Sequence, residues 1–254
     1  MAAQTTLDLN CDMGESYGAW KMGDDEAVLG YVSSANIACG FHGGDPSTLR
    51  KTVAAAIEQG VALGAHPSFQ DLAGFGRRTM QISPQEAYDI TVYQVGAVAG
   101  VARSQGGALH HVKAHGALYN MAAKDAKLAR AIAQAVHDID SSLILYGLAG
   151  SAMILEAQAL GLRVANEVFG DRSYQPDGSL TPRTQPDAMI TDVNKSVEQI
   201  LRMVQDQVVV ATDGTRVPVK ADTLCIHGDQ PSAVVFAQGI RKALKNAGIA
   251  VRTV

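Results

Sequence analysis

Thr6-Leu7-Asp8-Leu9-Asn10-Cys11-Asp12-Met13-Gly14-Glu15 is the stretch that decides how this chain is read. Four residues capable of chemistry (Asp8, Asn10, Asp12 and Glu15) surround a short apolar run. Side chains alternate across a strand, so Asp8, Asn10 and Asp12 share one face. A carboxylate taken out of water must be paired or hydrogen-bonded, so this face is not casual decoration. The plainer alternative is that Asp8 or Asp12 only bonds backbone amides at a strand end.

The layout recurs along the chain. Ala35-Asn36-Ile37-Ala38 runs into Gly40, His42 and Asp45. Val61-Ala62-Leu63 runs into His66, and Leu109-His110-His111-Val112 into Lys113, His115 and Tyr119. Val164 and Ala165 lead to Glu167, Asp171 and Arg172. Thr223-Leu224-Cys225-Ile226 leads to His227 and Asp229. A fifth run, 143–146, precedes a helical segment, and the sixth run is short, ending near Ala165.

Helical patterns separate these runs. They cover 24–32, 45–59 with Gly60 as the stop, 83–105, 126–137, 152–159, 193–205 and 232–246. Asp45-Pro46 is an N-cap followed by proline at the first helical position, and Ser83-Pro84-Gln85-Glu86 is a capping box. The segment 208–219 reads as a hairpin turning at Asp213-Gly214. Two long polar loops, 67–81 and 170–187, remain, and loops of this length are commonly functional.

Strand–helix alternation implies a parallel sheet. Seven strands are counted, and 249–251 offers an eighth. The expected fold is one (β/α) barrel over residues 1–254, seven- or eight-stranded. In such barrels the C-terminal strand ends share a rim that carries the active site. Residues far apart in sequence then meet in one hollow, which makes an enzyme the first expectation. An open doubly wound sheet is the alternative fold.

Bulk properties narrow the function. Of 254 residues, 47% are apolar and 18% charged, an ordinary globular composition. Net charge is −4 and the sequence has no basic stripe to neutralise a phosphate backbone, so nucleic-acid binding is not expected. No apolar stretch approaches the roughly 20 residues of a membrane span, and no signal peptide is evident. Three cysteines, Cys11, Cys39 and Cys225, argue against a disulfide framework and read as buried thiols. A cytoplasmic protein is expected.

The rim residues suggest their chemistry. His42 lies between glycines that let backbone approach a ligand, with a helix N-terminus just beyond. His66 and His115 suit acid–base work near neutral pH. Lys113 and His115 fall on one face of an extended segment, and a lysine beside carboxylates pairs with them or stabilises developing negative charge. Glu167 joins this catalytic set. Arg77, Arg172 and Arg183 are candidates to grip a carboxylate. Asn10, Glu15, His227 and Asp229 complete the expected binding set. Asp12, His42 and His66 are also a metal-ligand combination, although no local motif such as His-Glu-x-x-His is present. His110 and His111, within their strand, are read as structural.

These stretches together resemble the LamB/YcsF family, which supplies the A component of 5-oxoprolinases. The resemblance is carried by 8–15, 36–46, 64–67, 74–78, 113–120, 167–172 and 226–229, in order over nearly the whole chain. Gly43, Ala114 and Gly170 stand where alanine, proline and alanine are expected. The resemblance implies a barrel similar to those of glycoside hydrolases and polysaccharide deacetylases. It implies ATP-dependent hydrolysis of the lactam 5-oxo-L-proline to L-glutamate, together with partner subunits B and C. ATP enters only through the resemblance, because the chain has no Walker A motif. Two other classes stay open: a stand-alone metal-dependent amidase or deacetylase, and a non-catalytic protein that presents the lactam to its partners.

Overall fold

The structure, a computed structural model, describes residues 6–226 and 233–254. Its strands in chain order are β1 (Thr6–Met13), β2 (Ser34–Ala38), β3 (Ala62–His66), β4 (Leu109–Lys113), β5 (Ile144–Leu148) and β6 (Arg163–Phe169). They continue with β7 (Val208–Val210), β8 (Arg216–Pro218), β9 (Thr223–Ile226) and β10 (Ala250–Val251). Strands β1 to β6 and β9 form a parallel sheet that closes on itself. β1 pairs with β2 on one side and, through Asp8↔Thr223 to Cys11↔Ile226, with β9 on the other. Closure removes the open-sheet alternative.

The ring has seven strands. β10 pairs parallel to β1 only at Thr6↔Ala250 and Leu7↔Val251, below the segment that β9 occupies. It is an appendage to the floor and does not enter the ring. The hairpin β7–β8 also lies outside the ring.

Eight helices are present among the described residues: α1 (Asp25–Leu29), α2 (Pro46–Glu58), α3 (Pro84–Ser104), α4 (Gly116–Ala122), α5 (Ala126–Ile139), α6 (Ala152–Ala159), α7 (Val193–Gln205) and α8 (Ala233–Asn246). Local chemistry accounts for their starts. Asp45 accepts from Ser47 and Thr48 N–H groups ahead of Pro46, and the Ser83–Glu86 capping box is complete. α1 stops at Leu29, three residues short of expectation, with Gly30 as its C-cap. The sequence pattern does not announce α4.

β6 is the larger correction. It continues four residues beyond Ala165 to Phe169, so Glu167 lies inside a strand. A strand whose inner face meets polar neighbours need not read as an apolar run, and Asn166-Glu167 therefore imitates a strand end.

The outward strand faces supply Leu7, Leu9, Cys11, Met13, Ile37, Val112, Leu145 and Leu224 to the main apolar core beneath the helices. The inner face differs from the branched apolar layers that usually fill such barrels. Among the described residues Ile144, Tyr146 and Ala165 form a small apolar cluster there. Much of the face is polar and buried: Asp8, Asn10, Asp12, Ser34, Asn36, His66, His111, Lys113, Glu167 and Thr223. Gly64 makes this possible, because a Cβ at that position would collide with the His111 ring.

Candidate functional site

The C-terminal end of the ring opens into a cavity of about 530 Å³. Its wall includes Asp12, Glu15, His66, Lys113, His115 and Tyr119. These come from the ends of β1, β3 and β4 and the segments just after them, so the closed ring has brought scattered sequence to one mouth.

Lys113 is the hub. Its ammonium lies 2.8 Å from Glu167 Oε1 and 3.0 Å from Asp12 Oδ1, and donates to Asn10 Oδ1 at 3.1 Å. Cys225 Sγ is also 3.1 Å away. Burial alone would strip this ammonium of its proton; Asp12 and Glu167 outweigh that cost and hold its pKa well above the usual lysine range. The Cys225 thiol is pushed up by burial and stays a neutral neighbour. Glu167 Oε2 accepts from the Tyr119 hydroxyl at 2.7 Å, and Oε1 accepts from Asn10 Nδ2 at 3.0 Å. Asn36 Nδ2 donates to Asn10 Oδ1 at 2.7 Å and to Asp12 Oδ1 at 2.9 Å. The buried charges are thus paired and hydrogen-bonded, as their burial demands.

From Asp12 the network passes to the histidines. Asp12 Oδ2 is 3.3 Å from His66 Nε2. His66 Nε2 is 3.0 Å from His115 Nδ1, and Glu15 Oε1 lies 3.6 Å from that same His115 atom. His42 Nε2 stands 3.1 Å from Glu15 Oε1. Burial, followed by the other imidazoles, holds His42 and His115 well below the ordinary histidine pKa. Glu15, His42, His66 and His115 offer donor atoms all within 4.8 Å of one another, a buried group that could hold a metal ion.

The loop after β3 locks this corner. Gly76, at φ +63°, packs its bare Cα against both His42 and His115, and a side chain there would run into both. Phe75 O accepts from His115 Nε2 at 2.9 Å.

The remaining expected residues fall in different places. Arg77, Arg172 and Arg183 all line the cavity. Arg172 is buried, with Nη2 donating to Thr181 O at 2.6 Å and Nε to Ala188 O at 3.3 Å. It therefore also pins the 170–187 loop, and burial lowers its pKa to about 10. Asn10 and Glu167 sit one layer beneath the cavity and hold Lys113 from below. His42 lies behind the wall. Asp45 is the cap of α2 and also accepts from Gly18 N–H at 2.9 Å. His227 and Asp229 lie outside the described residues.

Asn36, Thr223 and Cys225 also belong to the network, although the sequence pattern does not mark them as functional, and so does Tyr119, which the pattern places after the fourth run without a role. Asn36 and Thr223 carry a signal: each is a polar residue within or opening an apolar run, as Asn10 is. Tyr119 is delivered by α4, a helix with no capping signal to reveal it.

The LamB/YcsF family model matches residues 7–254. The A component of the 5-oxoprolinase of Bordetella pertussis is 73% identical over 246 residues, covering 97% of this chain and 98% of that protein. A lactam utilization protein from Thermus thermophilus has the same fold, with a TM-score of 0.92 at 48% identity over 98% of this chain and all of that one. A family 4 carbohydrate esterase from Streptomyces lividans, at 10% identity, covers 98% of this chain and 93% of its own with a TM-score of 0.52. That last likeness concerns the barrel alone.

Proposed function

The chain belongs to the LamB/YcsF family, and on that premise we propose that it is the A component of a 5-oxoprolinase. It opens the lactam of 5-oxo-L-proline to L-glutamate, coupled to ATP hydrolysis, together with partner subunits B and C. The names of its relatives support this reading. The observation that carries it is the buried run Tyr119–Glu167–Lys113–Asp12–His66–His115 along the wall of a roomy cavity. No helix among the described residues is long and apolar enough to cross a membrane. A cytoplasmic setting suits the reaction.

The chemistry explains the need for ATP. A five-membered lactam is an unstrained amide, and its opened amine stays beside the carboxyl group at high effective concentration, so reclosure is favoured. Transfer of the γ-phosphoryl group to the lactam oxygen releases ADP and makes the carbon electrophilic. Water then adds to that carbon, the C–N bond breaks as the ring nitrogen takes a proton, and the acyl phosphate left behind is hydrolysed by a second water to the carboxylate and phosphate.

Asp12 and His66 activate the water, and His42 supports them from behind. Lys113, held charged by its carboxylates, stabilises developing negative charge, and His115 adds to this or protonates the ring nitrogen. Glu167 and Asn10 fix Lys113. Arg172, Arg183 or Arg77 holds the substrate carboxylate. Glu15, His227 and Asp229 are the further substrate-binding candidates, the last two lying outside the described residues.

The test is a coupled assay on the chain with its partner subunits, reading 5-oxoproline-dependent ATP hydrolysis and glutamate release. His66→Ala should lower both at least about 100-fold, the scale of a lost acid–base group. Undiminished glutamate release would remove His66 from the mechanism. The Glu/His group favours a second reading, a metal-dependent amidase acting alone. Glutamate release by this chain without ATP or partners would select it.

A further inference from the structure

Two imidazoles at the mouth of the barrel face each other in a way that neutral rings do not sustain. His66 Nδ1 is 2.7 Å from the backbone oxygen of Lys113, and His115 Nε2 is 2.9 Å from that of Phe75. A carbonyl oxygen only accepts, so both nitrogens carry the ring hydrogen. The other nitrogens, His66 Nε2 and His115 Nδ1, are then both lone pairs, yet they stand 3.0 Å apart and buried. Something positive belongs between them.

The rings meet with their planes 83° apart, and Glu15 Oε1 approaches His115 Nδ1 to 3.6 Å. A tetrahedral ion with bonds of about 2.0–2.1 Å sets its donor atoms about 3.3–3.4 Å apart. The separations present, 3.0 and 3.6 Å, bracket that spacing. The backbone carbonyls behind both histidines are the outer partners that fix a ligand's tautomer and ring orientation.

His42 does not fit as a fourth ligand. Its ring is stacked on that of His115, with centroids 3.8 Å apart and planes within 5°. In-plane lone pairs on parallel rings do not converge on one point. Its Nε2 holds Glu15 at 3.1 Å instead, which makes His42 a positioning residue.

We propose that this chain binds one divalent transition-metal ion of the zinc type through His66 Nε2, His115 Nδ1 and the Glu15 carboxylate, with a position left open toward the cavity. Nitrogen and oxygen donors without thiolate suit zinc, cobalt or manganese better than a soft ion. This ligand set differs from the Asp12–His42–His66 combination expected from sequence: Asp12 is committed to Lys113 and Asn36 through Oδ1, and only its Oδ2 nears His66. The inference does not depend on the lactam reading, since binding is measured on the chain alone; with an ion bound, His66 and His115 would act through it, and the acid–base roles given them above are those of the metal-free chain.

The experiment strips the purified full chain with a chelator and titrates it with Zn²⁺ by calorimetry and with Co²⁺ by visible absorption. One equivalent should bind, and Co²⁺ should show d–d bands of a four- or five-coordinate nitrogen–oxygen site. His66→Gln and His115→Gln should each abolish stoichiometric binding, while the exposed His137→Gln leaves it intact. His42→Gln should weaken it about 10–100-fold with the Co²⁺ bands retained, as expected of an outer partner. The wild-type Co²⁺ spectrum decides the matter even where a variant fails to fold. Absence of these bands, or binding that survives in a folded His66 or His115 variant, overturns the proposal. A metal-binding chain inactive on 5-oxoproline would separate this site from the proposed reaction.

Discussion

Asp8 and Asp12 lie on one strand, on one face, four residues apart, and both are buried. Their surroundings differ completely. At the floor, Asp8 accepts from the hydroxyls of Ser33, Ser34 and Thr223 at 2.6, 2.7 and 2.5 Å. All three are neutral donors, and the Tyr146 hydroxyl beyond them is pushed up in pKa by burial and by Asp8. At the mouth, Asp12 faces an ammonium and an imidazole and borders the cavity. A carboxylate surrounded by hydroxyls is a structural knot. One set between an ammonium and an imidazole at the edge of a cavity is placed where a reacting molecule can reach it. Chemical role here is set by height in the barrel, and residue type and burial do not reveal it.

The sharpest way to break this contrast is at Lys113. Lys113→Met leaves Asp12 and Glu167 buried without their cation. We expect a loss of about 3–5 kcal/mol in urea unfolding, together with all 5-oxoproline-dependent turnover. Adding Glu167→Gln should recover part of the stability and none of the activity. A Lys113→Met chain as stable as wild type would show that the charges at the mouth are not mutually dependent.

Next comes the exchange of roles between the two aspartates. Asp8→Ala orphans buried hydroxyls and should cost about 2–3 kcal/mol, while turnover per folded molecule stays within about threefold, the range of a structural change remote from the site. Asp12→Ala should do the reverse: Glu167 still pairs Lys113, so stability falls less, and turnover drops at least about 100-fold. Equal activity losses in both variants would abolish the distinction.

The smallest effect is in acid. His111 sits between floor and mouth, stacked on Tyr146 and bonded to Asn36 Oδ1 at 2.8 Å. Burial, then His110 and Lys113, holds its pKa well below the usual value. The unfolded chain takes up a proton near pH ~6.5 that the folded ring refuses. This contribution to stability is therefore full above about pH 6.5 and is lost as pH falls below it. His111→Gln should flatten the acid side of the stability curve below about pH 6.5; an unchanged slope would assign that loss to other groups.

Much of this is legible in the chain. Two-residue alternation places Asp8, Asn10 and Asp12 on one face, which the ring turns inward, and capping signals set α2 and α3 closely. The candidate site residues of the described segments converge on one end of the ring because a parallel barrel gathers strand ends. What escapes has a common physical cause. Reading strands as apolar runs fails where the inside of the barrel is itself polar, which shortens β6 at Glu167 and leaves Asn36 and Thr223 unremarked. The metal-ligand set needs ring orientation: only coordinates show that His42 and His115 are parallel while His66 and His115 converge. The eighth strand fails on register, since β9 already occupies the edge that β10 would need.

The closure of β1 against β9 also bears on how the chain is made. β1 emerges early from the ribosome, finds β2 soon after, and must wait for residue 226 before its second edge is covered. Throughout synthesis it is an open edge beside a growing sheet, the arrangement most prone to capture by another strand. Asp8, Asn10 and Asp12 on its inner face make that capture costly, because an intruder would have to desolvate them without supplying Lys113, Asn36 or Thr223. The same side chains that line the finished barrel thus guard the nascent one.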